Sequence, residues 1–120
     1  MNKDNYCSLE MSQKLVDAGI VLDTDAYWIK VTNSPWMLRD SKYGADEYYP
    51  APSMAELWRE LPESIRKGRT IQYMEMGKTG SKTYVAYAYD FADDYVLFDN
   101  PADALAELLI FVKEQNKCTC

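Results

Sequence analysis

At 120 residues, with 48% hydrophobic side chains, 27% charged ones and only five Gly and five Pro, the chain is long enough for one folded domain with a true core and too apolar for a disordered segment. Its 19 acidic against 13 basic residues leave a net charge of −6, and no Lys/Arg cluster offers the counterion-displacing footprint of a phosphate-backbone binder, so nucleic acid is not an expected partner. Histidine is absent, which removes Ser-His and Cys-His nucleophile activation and the commonest neutral metal ligand.

The opening residues, Met1 to Tyr6, lack the apolar run of a secretion signal, and no stretch approaches the roughly 20 apolar residues needed to span a bilayer. A cytoplasmic protein with no membrane contact is expected. The three cysteines, Cys7, Cys118 and Cys120, are an odd count with two crowded at the end, which does not fit a secreted disulfide framework.

Ser8 to Ala18 has helical periodicity. Leu9, Met11, Ser12, Leu15 and Val16 share one arc, Glu10, Gln13, Lys14 and Asp17 the other, and Gly19 stands where a left-handed C-terminal cap is wanted. After a turn through Asp23 to Asp25, the aromatic and β-branched run Ala26 to Thr32 predicts a strand. Asn33 to Pro35 breaks it, and Trp36 to Leu38 is the candidate pairing segment. Arg39 to Glu47 is polar around Gly44 and predicts the longest loop, a candidate lid.

Tyr49 to Pro62 spells out a short helix. Ser53 and Glu56 have capping-box spacing, Met54, Leu57, Trp58 and Leu61 form the apolar face with Trp58 as its anchor, and Pro62 stops it. This places Tyr48 and Tyr49 at a hinge between loop and helix. Glu63 to Gly68 reads as a last half-turn. Thr70 to Met76 and Lys82 to Asp90 then form a hairpin around a five-residue loop, Gly77 to Ser81. Pairing Met76 with Lys82 puts Ile71, Tyr73, Val85 and Tyr87 on one face and Met74, Met76, Tyr84, Ala86 and Ala88 on the other.

A turn at Asp93 and Asp94 leads to a short strand, Tyr95 to Phe98. The last helix begins at Asn100, a good cap, with Pro101 at the first helical position. Ala104, Leu105, Leu108, Leu109, Phe111 and Val112 form its apolar arc. Ile110 falls on the polar side and is read as a homodimer contact. The order of elements predicts an α+β fold: a small antiparallel sheet, made of a hairpin and one or two further strands, packed with about three helices. Residues 1–116 form one domain, and 117–120 fray at its end.

The chemistry in these residues favours bland readings. Cys7, Cys118 and Cys120 lack the fourth ligand of a structural zinc site. Gly77-Lys-Thr and Gly80-Ser-Lys-Thr sit between strands, without the upstream glycine and following helix of a phosphate loop, and belong to a hairpin turn. Asp90, Asp93, Asp94 and Asp99 lack the alternation, central glycine and closing glutamate of a calcium loop. No cofactor or metal is expected. The aromatic residues divide, with Trp28, Trp58 and Tyr73 assigned to the core, and Tyr43, Tyr48 and Tyr49 to a surface beside the loop.

Three stretches, Cys7 to Ile20, Pro50 to Pro62 and Asn100 to Leu109, carry a resemblance to short phage and prophage proteins of bacteria that have no assigned function. The shared features are an opening helix ending in Ala-Gly, a Tyr-Trp strand, an Ala-Pro-entered helix with Trp and a late Ala/Leu helix. The resemblance implies a mobile-element origin and transfers no site. The function expected is that of a non-enzymatic protein that binds another macromolecule, a host protein, and forms a homodimer. Its candidate surface is Trp36, Tyr43, Tyr48, Tyr49 and Ile110. The alternative is a small-molecule binder with an aromatic cleft near the 39–49 loop, lined by Trp28, Trp36 and Tyr49.

Overall fold

A computed structural model describes residues 3–67, 70–88 and 97–117. A 3-10 turn, Lys3–Asn5, leads into α1, Leu9–Asp17. The Ser8 hydroxyl accepts the Met11 N–H at 3.2 Å and starts the helix. Gly19, at φ +77°, ends it: its N–H reaches Val16 O and the Ile20 N–H reaches Leu15 O, both at 2.9 Å. This is a Schellman cap, and its usual apolar contact falls to Leu15 and Ile20, both buried.

The first sheet follows. β1, Tyr27–Lys30, lies between β2, Met37–Arg39, and β3, Glu47–Pro50, antiparallel to both. The pairing of β1 with the segment after Pro35 agrees with expectation, but β3 corrects it: Tyr48 and Tyr49 are strand residues hydrogen-bonded to β1, not a loop–helix hinge. A four-residue Glu-Tyr-Tyr-Pro segment has too little alternation of its own, and it becomes a strand because β1 offers a free edge.

α2, Met54–Glu60, carries the full capping box. The Ser53 hydroxyl accepts the Glu56 N–H at 3.2 Å, and the Glu56 carboxylate accepts the Ser53 N–H at 2.8 Å. The same carboxylate accepts the Thr24 hydroxyl at 2.8 Å, which ties the approach to β1 to this helix. Trp58 is not the anchor. It is 49% exposed, whereas Leu57 and Leu61, one turn apart, are the buried pair. A helix of two turns has one inward row, and Trp58 falls on its shoulder.

The second sheet has the order β4-β5-β6-β7, all antiparallel. β4, Ser64–Lys67, occupies the stretch expected to be a helical half-turn; Gly68 is outside the described residues. β5, Thr70–Thr79, is longer than expected, whereas β6, Lys82–Ala88, begins at Lys82 as expected, so that only Gly80 and Ser81 are left in the turn. Gly80 has φ +65° and Ser81 has no positive φ, the sign pattern of a type II′ hairpin turn. The register therefore moves: Met76 faces Val85, and Gly77 faces Tyr84. The expected sharing of a face by Val85 with Ile71 and Tyr73 is overturned by that shift. β7, Leu97–Phe98, pairs with β6 at Tyr84 and Thr83. The turn at Asp93 and Asp94, with Tyr95 and Val96, lies outside the described residues, and the core assignment of Tyr73 falls on a side chain outside those described.

α3, Pro101–Lys117, is capped by Asn100, whose side-chain oxygen accepts the Ala102 N–H at 2.8 Å and whose amide donates to Tyr6 O at 2.9 Å. α3 touches α1, α2, β6, β7 and the 3-10 turn, so it is enclosed on several sides. Ala102, Ala104, Leu105, Ala106, Leu109, Ile110 and Val112 are all buried. Ile110 is thus a core residue at 7% exposure and not a dimer contact, while Phe111, placed on the apolar arc by periodicity, is 46% exposed. With Cys7, Met11, Leu15, Ile20, Leu57 and Leu61, these residues form one core across the three helices. Each large side chain fully buried there contributes about 1.5–3 kcal/mol. The result is the α+β architecture expected, with two sheets in place of one. The molecule measures 52 × 39 × 19 Å, and its thin axis is about two layers deep.

Candidate functional site

Successive residues of a strand face opposite sides, so the register of the first sheet sorts its aromatic residues into two sets. Tyr27 and Ile29 of β1 share a face with Met37 and Arg39 of β2 and with Tyr48 and Pro50 of β3. Trp28 and Lys30 share the other with Leu38, Tyr49 and Glu47. Tyr48 and Tyr49, neighbours in sequence, therefore serve different surfaces.

The second face meets the segment that enters α1. The Trp28 indole N–H donates to Cys7 O at 2.8 Å, which stitches the sheet to the segment entering α1. Trp36 and Tyr49 stand with ring centroids 5.6 Å apart at 42°. A planar ligand held between two rings needs them about 7 Å apart, two contact distances of ~3.5 Å. These rings touch each other instead and offer no slot.

The first face is outward. Ile29 is buried at its base, and around it Tyr48 is 45% exposed while Arg39 and Lys42 are exposed. Tyr27 and Tyr48 are diagonal neighbours across the strand pair, edge to face at 84° with centroids 6.0 Å apart. The Lys42 ammonium lies 4.8 Å from the Tyr48 ring centre and 5.6 Å from that of Tyr27, a cation–π position over both. The Arg39 guanidinium runs along Met37, with a nitrogen 3.6 Å from its sulfur.

The 40–46 loop delivers Lys42 to that place. The Asp46 N–H donates to Lys30 O at 2.9 Å, and the Thr32 hydroxyl donates to the Asp46 carboxylate at 2.5 Å, fastening the loop at its base. Gly44, at φ +80°, turns the chain, and the Ala45 N–H reaches Lys42 O at 3.2 Å. The loop thus closes over the tyrosine face and not over a cleft. Tyr43, 95% exposed at its tip, makes no ring contact among the described residues.

Of the five residues expected to form a surface, Tyr48 lies on the outward face, Tyr43 projects beside it, Trp36 and Tyr49 pair on the opposite face, and Ile110 is in the core. Tyr27, Arg39 and Lys42 complete the outward set and escaped the sequence reading. The signal that could have found Tyr27 is the alternation along Ala26 to Lys30, which puts it on the face away from Trp28. Nothing local marks Lys42, whose position depends on where the loop closes.

Two open clefts lie elsewhere. One is lined by Leu22, Asp23, Glu56, Arg59 and Glu60, the other by Ser8, Glu10, Met11, Lys14, Phe98 and Asp103. Three of their charged groups serve the fold. Glu56 is held in the capping box, Lys14 pairs with Glu107 at 2.8 Å, and Asp103 accepts the Ser8 N–H at 2.8 Å. Burial pushes the Asp103 carboxyl up from its ordinary value, the Ser8 hydrogen bonds pull it back, and nearby Glu10 adds a smaller upward push.

Cys7 is fully buried, its thiol 3.7 Å from Ala102 O. Burial, reinforced by the charges of Asp103 and Glu56, pushes the thiol well above its ordinary value, so it packs as a small apolar group. Cys118 and Cys120 lie outside the described residues, as do Asp90, Asp93 and Asp94. Asp99 faces Lys82 at 3.6 Å. Among the described residues no group of three Cys, Asp or Glu side chains is gathered in a way that could hold a metal ion, and no helix is long and apolar enough to cross a membrane. Comparisons with protein-family models, with curated proteins and with solved structures find no match to this chain.

Proposed function

We propose that this chain is a non-enzymatic protein-binding module whose contact surface is the outward face of the three-stranded sheet. The observation that carries the reading is the Tyr27–Tyr48 pair with Lys42 over both rings, in which Tyr48, Lys42 and the neighbouring Arg39 are exposed and Tyr27 and Met37 half-buried. Tyrosine, arginine and methionine are the side chains enriched at protein interfaces, because each covers a large area while keeping a polar or polarisable group for its partner. A rigid sheet holds them in place, so little side-chain entropy is lost on docking. The resemblance to phage proteins directs the search for a partner to cytoplasmic proteins of a bacterial host. A homodimer loses its motive once Ile110 is in the core, and Trp36 touching Tyr49 leaves the small-molecule reading without its slot.

The test is affinity capture from bacterial lysate with the natural chain and with the Tyr27→Ala/Tyr48→Ala variant. The expected result is one saturable protein retained by the first and lost by the second, with the circular dichroism of both unchanged. A partner retained equally by the variant would place the contact surface elsewhere.

A further inference from the structure

The buried core joins α1, α2 and α3, and among the described residues none of the three-stranded sheet belongs to it. The half-buried apolar side chains packed against it, Ala18, Leu22, Met54, Phe98 and Leu108, also come from elsewhere. Between Ala26 and Ala51 the buried side chains are those two alanines and Ile29. β3 leans on α1, and hydrogen bonds tie the sheet and its exit to one strap of chain, Tyr6 to Ser8. The Trp28 indole N–H donates to Cys7 O at 2.8 Å, the Cys7 N–H to Pro52 O at 3.0 Å, and Tyr6 bridges to Ser53. The strap itself belongs to the core: Cys7 is buried in it, Tyr6 O accepts the Asn100 amide at 2.9 Å, and the Ser8 N–H reaches the Asp103 carboxylate at 2.8 Å. The segment also enters and leaves at one point. There the Glu56 carboxylate accepts the Thr24 hydroxyl and the Ser53 N–H, both at 2.8 Å.

We infer that residues 26–51 form a unit that opens and closes on the helical core, hinged where Thr24 and Ser53 meet Glu56 and clasped by the Trp28 indole on Cys7. Opening gives up few apolar contacts, since the unit holds a single large buried side chain, and low local burial is the mark of a segment that opens before the rest. A sheet of three short strands is not stable without a surface to pack on, so the strands unpair when the clasp is released. The ends of the segment stay pinned together at Glu56, and the helices are not pulled apart with it. The opened form is a minor state. The face of Tyr27 and Tyr48 is assembled from β1 and β3 and exists only while the unit is closed, which makes the clasp a switch for that surface whatever it binds.

The experiment is native-state amide hydrogen exchange of the full chain, read by NMR over a series of low urea concentrations. The amides of β1 and β3 are expected to exchange through an opening that is easier and less urea-dependent than that of α1 and α3, because it exposes less surface. Val112→Ala trims the helical core, which the closed and opened forms share. It is expected to speed α3 exchange at least about tenfold and to change sheet exchange by less than about twofold. Trp28→Phe keeps a ring and deletes the indole donor. It is expected to speed the sheet amides about fivefold, and the helix amides by the same factor, since global unfolding breaks the clasp as well. One common urea dependence for sheet and helices, moved equally by Val112→Ala, would show a single cooperative fold and overturn the inference. Sheet amides that open separately yet ignore Trp28→Phe would overturn the clasp at Cys7.

Discussion

Ser12 is a hydroxyl in the wrong solvent. It is fully buried in α1, and its oxygen has no hydrogen-bond partner among the described residues. The carbonyl it could turn back to, Ser8 O, already accepts the Ser12 N–H at 2.8 Å. An unmet buried hydroxyl costs about 1–3 kcal/mol, and alanine is the better helix former by about 0.5 kcal/mol. Ser12→Ala is expected to raise the stability of the fold by about 1 kcal/mol in a urea titration. A loss of stability would show that the hydroxyl has a partner role. The sequence hinted at this position, since Ser12 lies on the apolar arc of the helix, but periodicity cannot tell a satisfied serine from an orphaned one. Asn100 is the opposite case. Its capping role is legible because cap, Pro101 and first turn are contiguous, and only the bond from its amide to Tyr6 O, made across 94 positions of chain, needed the fold.

At the level of the element, the hairpin shows how one glycine can be misread for another. Gly77 sits inside β5, directly opposite Tyr84, and the tyrosine ring lies across it. A methyl group built on Gly77 would stand 2.6 Å from the Cζ and hydroxyl oxygen of that ring, closer than atoms can approach. A glycine within a strand marks such a close approach, whereas the glycine that makes the turn is Gly80. Gly77→Ala is expected to destabilise the protein by about 1–3 kcal/mol and to raise amide exchange along β5 and β6. An alanine variant as stable as the natural chain would mean that the ring moves aside freely. Both glycines look like turn residues in a linear reading, which is why the loop was expected to be five residues long. The α-helix ends fared better: the Schellman cap at Gly19 and the capping box at Ser53 and Glu56 involve groups within five residues of one another.

For the whole molecule, the decisive feature is the placement of α3 among two helices, a sheet and the N-terminal turn. Enclosure widens its buried arc until Ile110 lies inside and Phe111 at its border. Ile110→Asp is therefore expected to unfold or severely destabilise the chain, by about 3 kcal/mol or more, because it buries an unpaired charge. If the variant instead stays folded and only its mass by analytical ultracentrifugation changes, Ile110 is an interface residue after all. The same scale governs the candidate binding face. Tyr27, Arg39, Lys42 and Tyr48 come from β1, β2, a loop and β3, and no window of sequence contains their arrangement.

By itself the sequence determined the class of the fold, the starts and stops of the helices and the pairing of β1 with β2, because caps, turns and short hairpins are satisfied by groups only a few residues apart. Tertiary structure alone decided the strand register of the long hairpin, the recruitment of β3 and β4, the exposure of Trp58, the burial of Ile110 and the gathering of the tyrosine face. Each depends on what covers a surface or completes a sheet edge. That is a property of distant segments, which local periodicity does not record.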